Sequence, residues 1–131
     1  MSVPEGKLRF VLLRHELPAS SARPSHYDLM LERPSDLFTL ELCEPLRSDV
    51  SQTARELAPH RKVYLDYEGP VSHDRGEVRA VDRGGLTIVA WTESTVEVDL
   101  LGDALRGRLT LTREASREGE PAVWRVSFRA S

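Results

Sequence analysis

The chain is poor in cysteine and lysine, and the first shortage excludes whole classes of site. A single cysteine, Cys43, among 131 residues rules out an internal disulfide framework and a thiolate-rich zinc site. A metal ion would therefore have to be held by imidazole and carboxylate, donors that suit manganese, zinc or iron better than copper(I). No apolar run approaches the ~18 residues of a membrane-spanning helix, and residues 1–6 lack a basic start leading into an apolar segment. The expectation is a soluble, cytoplasmic protein with no membrane partner. An excess of one charge is also missing: 18 Lys and Arg against 21 Asp and Glu give a net charge of −3. Any attraction for nucleic acid must then come from local cations. Lys7 and Lys62 are the only lysines, so 16 of the 18 basic residues are arginine. Arginine grips phosphate through two parallel hydrogen bonds, but codon usage accounts for the ratio equally well.

What is present reads mostly as short strands between turn formers, the pattern of an all-β, mainly antiparallel barrel or sandwich. Residues 8–13, 37–42 and 96–100 alternate most clearly, and 61–67, 77–81, 86–91, 105–112 and 123–129 are further strand candidates. One segment breaks the pattern. Val50, Ala54 and Leu57 stand at helical spacing, and Pro59 would stop a helix there, so a short helix is expected over 48–57. Gly69-Pro70, Gly84-Gly85 and Gly102-Asp103 mark turns, and 114–121 a charged loop. The polar stretch 16–25, with Pro18, Pro24 and several serines, reads as a surface loop. The length fits one domain spanning 1–131.

The most informative stretch is Ser25-His26-Tyr27-Asp28-Leu29-Met30-Leu31-Glu32. In an extended strand residues i and i+2 share a face, so His26 and Asp28 point at one spot while Tyr27, Leu29 and Leu31 face the other way. On spacing alone this pair is either a surface hydrogen-bonded couple or half of a metal site. His15 closes the preceding apolar strand; if the two strands pair as a hairpin, His15, His26 and Asp28 converge. Three protein ligands with open positions is the usual form of a catalytic metal centre. A second cluster, His60-Arg61-Lys62-Val63-Tyr64, puts an imidazole beside two cations. His60 there is either a phosphate or leaving-group contact or a turn residue flanked by solvated charges. His73 reads as an exposed loop residue, in a loop that can lie over the pocket mouth with Arg75. Glu32 either hydrogen-bonds a ligating histidine or is solvated.

The order of these pieces resembles the 3′-phosphoesterase domain of bacterial DNA ligase D, especially its small stand-alone relatives. It comprises an apolar strand ending in histidine, then His-Tyr-Asp-Leu-x-Leu-Glu, then a histidine followed by Tyr-Leu-Asp-Tyr-Glu-Gly. The similarity runs from about Arg9 to Phe128. It implies a compact β-barrel whose metal, usually Mn2+, is held at positions matching His15, His26 and Asp28. His60 matches the family's phosphate-contacting histidine and Tyr64 the tyrosine near it. The implied activity is removal of a 3′-terminal ribonucleoside and then of the 3′-phosphate during DNA break repair by end joining. DNA or RNA–DNA 3′ ends would be the substrates, and a separate ligase, polymerase or end-binding protein the partner.

Three features depart from the ligase D pattern. Met30 stands where those domains usually carry arginine, although stand-alone relatives commonly show Leu-Met-Leu-Glu. Leu13 replaces a glutamine, and the loop between His15 and His26 is longer. Methionine cannot neutralise phosphate, so Arg14 or Arg61 is expected to supply that charge. The alternative is a catalytically weakened module of the same fold that binds a nucleic-acid end or a repair protein.

Overall fold

A computed structural model describes residues 7–131; the reading of residues 1–6 as free of a targeting segment lies outside the described residues. The strands are β1 (Leu8–Glu16), β2 (His26–Glu32), β3 (Leu37–Leu42), β4 (Ser51–His60), β5 (Gly69–Pro70), β6 (Glu77–Trp91), β7 (Thr95–Gly102), β8 (Arg106–Arg113) and β9 (Val123–Ala130). Strand makes up 59% of the described residues, against 3% helical. The sheet order is β1-β2-β3-β4-β9-β8-β7-β6-β5, and β1 also pairs with β6. Eight strands thus return on themselves in a barrel-like ring, with β5 appended to β6. Every ladder is antiparallel.

Alternation explains the core. One face of each ring strand is apolar and turns inward, so Phe10, Leu12, Leu29, Leu31, Leu40, Val98, Leu109 and Val126 fill the interior. β1 and β2 are buried on both faces. Their outward side chains, Val11, Leu13 and Met30, form a second apolar cluster with Leu37, Leu65 and Val78. Residues 61–78 cover that cluster from outside: the single-turn 3-10 helix Lys62–Leu65, then β5 and the turn into β6. This outer layer is where the fold leaves room for a site. No helix among the described residues is long and apolar enough to cross a membrane.

Three local expectations are corrected. Residues 48–57 are not helical: 51–60 form β4, hydrogen-bonded between β3 and β9. Its alternation is readable afterwards. Ala54 faces the core and Glu56 accepts the Trp124 indole N–H at 2.9 Å, whereas Val50, counted on the helical stripe, is 53% exposed. Closing the ring needs a strand in that slot, and tertiary pairing overrides a weak local preference. Pro59 sits where the β3–β4 register shifts, between Leu37↔His60 and Thr39↔Leu57, so its missing N–H costs no regular ladder bond. The expected strand over 61–67 is instead the 3-10 turn.

The two strands expected on either side of Gly84-Gly85 are one 15-residue strand, β6. It pairs with β1 through Leu86 and with β7 from Gly84 onward. Gly84 sits at this overlap, where a Cβ would come 2.1 Å from the Leu101 carbonyl oxygen. The glycine marks close backbone approach inside a strand, not a turn.

Candidate metal centre

His15 and His26 are direct partners in the β1–β2 ladder, and Asp28 follows on the same outer face. The imidazole centroids are 4.8 Å apart, and potential ligand atoms from all three residues lie within 4.8 Å of one another. His26 and Asp28 are buried and His15 nearly so. His15 Nε2–H donates to the Arg75 carbonyl at 2.7 Å, and His26 Nδ1–H donates to the Pro24 carbonyl at 3.1 Å. A carbonyl can only accept, so those nitrogens carry the protons. In the neutral rings, His15 Nδ1 and His26 Nε2 therefore present lone pairs to Asp28, at 3.4 Å from Oδ2 and 3.3 Å from Oδ1 respectively.

That arrangement calls for a positive charge at its centre. Two lone pairs facing a carboxylate repel unless a proton or a cation lies between them. Asp28 Oδ1, although buried, has no hydrogen-bond partner, which is costly for a carboxylate. Burial alone would push the Asp28 carboxyl upward, but His15 and His26 outweigh it and hold it down at about 2. Burial likewise opposes charging His26, yet the Asp28 carboxylate, the Pro24 carbonyl and the nearby Glu41 together raise its pKa. Imidazole and carboxylate donors, each ring anchored through its second nitrogen, match the pattern by which proteins orient histidine on a metal. The residues present therefore fit a divalent transition metal.

The cluster forms one wall of a cavity of about 400 Å³. Leu13, Met30 and Val78 line it beside the cluster, Leu57, Ala58, His60 and Tyr64 come from β4 and the 3-10 turn, and Leu17, Ser21 and Arg23 come from the β1–β2 loop. Val71, Asp74 and Arg75 complete it. His60 donates its Nδ1–H to the Ala58 carbonyl at 2.9 Å, leaving Nε2 for another partner. Its ring stands edge-on to Tyr64, centroids 5.6 Å apart, and Tyr64 stands edge-on to Tyr67.

The structure thus brings His15, His26, Asp28, His60 and Tyr64 to one cavity, but neither Arg14 nor Arg61 lines it. Alternation along β1 turns Arg14 away from His15, over the Tyr27 ring at 4.9 Å and into an ion pair with Glu16. Arg61 is exposed at the start of the 3-10 turn. Glu32 takes neither role considered for it: it accepts from the Arg9 N–H and pairs with Lys62 at 3.2 Å, tying the turn to β2. His73, in a left-handed conformation in the 72–76 turn, is not among the cavity residues.

Sequence reasoning missed Arg23 as a lining residue, and Glu41, which faces outward opposite Asp28 in the β2–β3 register. The only signal for Arg23 was its place three residues before His26. No protein-family model and no curated protein matches the chain.

Proposed function

We propose that the protein is a metal-dependent phosphoesterase that processes 3′ ends of nucleic acid, removing a 3′-terminal ribonucleoside and a 3′-phosphate in DNA repair. One observation carries the reading: two imidazoles and a carboxylate converge in the wall of a cavity that also holds His60 and Tyr64. The ordered sequence resemblance to the phosphoesterase domain of DNA ligase D supplies the reaction class. His15, His26 and Asp28 would hold the cation, Mn2+ on that resemblance, which when bound supplies positive charge for a phosphoryl oxygen. His60 keeps Nε2 for the substrate; protonated, it donates a hydrogen bond to the phosphoryl group or a proton to the departing oxygen. Tyr64, packed edge-on, fixes the plane of that imidazole. The buried side chains beneath exclude water from one side of the cavity.

Release of phosphate from an oligonucleotide ending in a 3′-phosphate, with Mn2+ and with a chelator, tests the reading. Turnover that needs the metal and is lost in His26→Ala is expected. Absence of turnover with every divalent metal would sink it. The second reading, a catalytically weakened module that binds a nucleic-acid end or a repair protein, draws on Met30: the strand bearing His26 and Asp28 continues into an apolar wall instead of a cation. Such a module would keep its partner in His26→Ala.

A further inference from the structure

Next to the histidine–aspartate cluster stands a second charged group, Glu41 with Arg23 and Arg55. Glu41 Oε1 accepts from two guanidinium groups, Arg23 Nη2 at 2.5 Å and Arg55 Nη2 at 3.0 Å. Two cations on one carboxylate leave one positive charge uncompensated. Arg55 lies directly across the β3–β4 ladder from Glu41, so its pairing is built into the sheet. Arg23 comes instead from the 17–25 loop, and of the two only Arg23 lines the cavity.

The loop is fastened independently of that ion pair. At its neck the Leu17 N–H donates to Ser25 Oγ, and the Ser21 N–H donates to the Pro18 carbonyl. Among the described residues the Arg23 guanidinium bonds through Nη2 alone, leaving its other donors for a ligand. Arg75, the other arginine on the cavity, has its Nε and Nη2 bonded to Ser72 within its own turn. Among the described residues lining the cavity, Asp74 is the one acid besides Asp28.

We propose that Arg23 is the phosphate-binding residue of this cavity, taking the terminal phosphate of a nucleic-acid 3′ end in place of Glu41, which Arg55 continues to neutralise. The proposal rests on the phosphoesterase reading and names the group that recognises the substrate's charge. A terminal phosphate is close to a dianion at neutral pH and matches the planar guanidinium fork, so it outcompetes a carboxylate already shared. Arg23 then provides from the loop the charge that Met30 does not provide from the strand.

The test is binding, in the presence of Mn2+, of two oligonucleotides, one ending in a non-hydrolysable 3′-phosphonate and one in a 3′-hydroxyl. The wild-type protein prefers the phosphonate, and Arg23→Ala loses about tenfold of that preference, the effect of one charge-assisted hydrogen bond. Glu41→Gln releases Arg23 and keeps or raises the preference. If Arg23 merely braced the loop through Glu41, the two substitutions would weaken binding alike, and that result overturns the proposal. An unchanged preference in Arg23→Ala overturns it too, while leaving the phosphoesterase reading standing. A wild-type protein indifferent to the phosphonate removes both.

Discussion

His15 and His26 stand directly opposite each other across the β1–β2 ladder, each with one ring nitrogen turned to Asp28 and the other tied to a backbone carbonyl. Those carbonyls belong to different segments, Pro24 just before β2 and Arg75 in the turn leading to β6. The donor set is therefore held from two sides before any ligand arrives. Fixing both rings in advance lowers the entropy cost of binding an ion, since little side-chain freedom is left to lose.

A divalent transition metal should accordingly stabilise the fold. At a free concentration about a hundred times the dissociation constant, binding to the native state alone adds roughly 2.7 kcal/mol. Thermal unfolding with Mn2+ and with a chelator measures this. His26→Ala and Asp28→Asn should both abolish the increment, and a Tm indifferent to every divalent metal would count against the cluster as a metal centre.

Without metal, the same cluster gives stability a definite pH dependence. The Asp28 carboxyl is held below its ordinary 3.8, at about 2. Its contribution, on the order of 2 kcal/mol, is fully present above pH 4 and lost as pH falls toward 2. His26 is raised above its ordinary 6.5, so its contribution is fully present below that value and disappears as pH climbs through the raised pKa. Urea midpoints in chelator should therefore decline on both the acid and the alkaline side. Metal competes with the proton, so adding it should reverse the alkaline decline. An Asp28→Asn protein retaining the acid limb unchanged would contradict the assignment.

His60 and Tyr64 lie on the cavity but outside the cluster of potential ligands, which separates their effects from metal binding. If His60 handles a proton or phosphoryl charge, His60→Ala should lower turnover of a 3′-phosphate oligonucleotide by about 10²–10⁴. The Mn2+-induced rise in Tm should stay within a degree or so of wild type. Tyr64→Phe keeps the edge-on ring and should cost much less than Tyr64→Ala. A His60→Ala protein that loses the metal-induced shift would instead make His60 part of the ion's surroundings.

Much of this arrangement is legible in the sequence because strand alternation is local. Spacing alone sets His26 and Asp28 on one face and Tyr27, Leu29 and Leu31 on the other, and the structure buries the latter two inside the ring. The same rule, applied to β1, turns Arg14 away from His15. What is not local is harder to read. Residues 51–60 are a strand because β3 and β9 flank them, neighbours that a three-residue helical spacing cannot reveal. Arg23 and Glu41 meet only because the 17–25 loop folds back over β3. Gly84-Gly85 looks like a turn in one dimension and is a crossing point in three.

That crossing point makes a stability prediction independent of function. A Cβ on Gly84 would lie 2.1 Å from the Leu101 carbonyl oxygen and 2.6 Å from the Gly102 Cα, both of them backbone atoms that no rotamer change can move aside. Gly84→Ala must then separate β6 from β7 where β6 is also bonded to β1, and a cost of roughly 2 kcal/mol or more is expected, as for other overpacked positions. Gly119 supplies the control: its φ of +85° is unfavourable for alanine, but nothing lies within 4 Å of the added carbon. Gly119→Ala should cost only about 1 kcal/mol, the strain of a left-handed residue. Chemical denaturation of the two variants compares them directly. Equal and small effects would mean that β6 does not run unbroken through Gly84 and that the ring is open there.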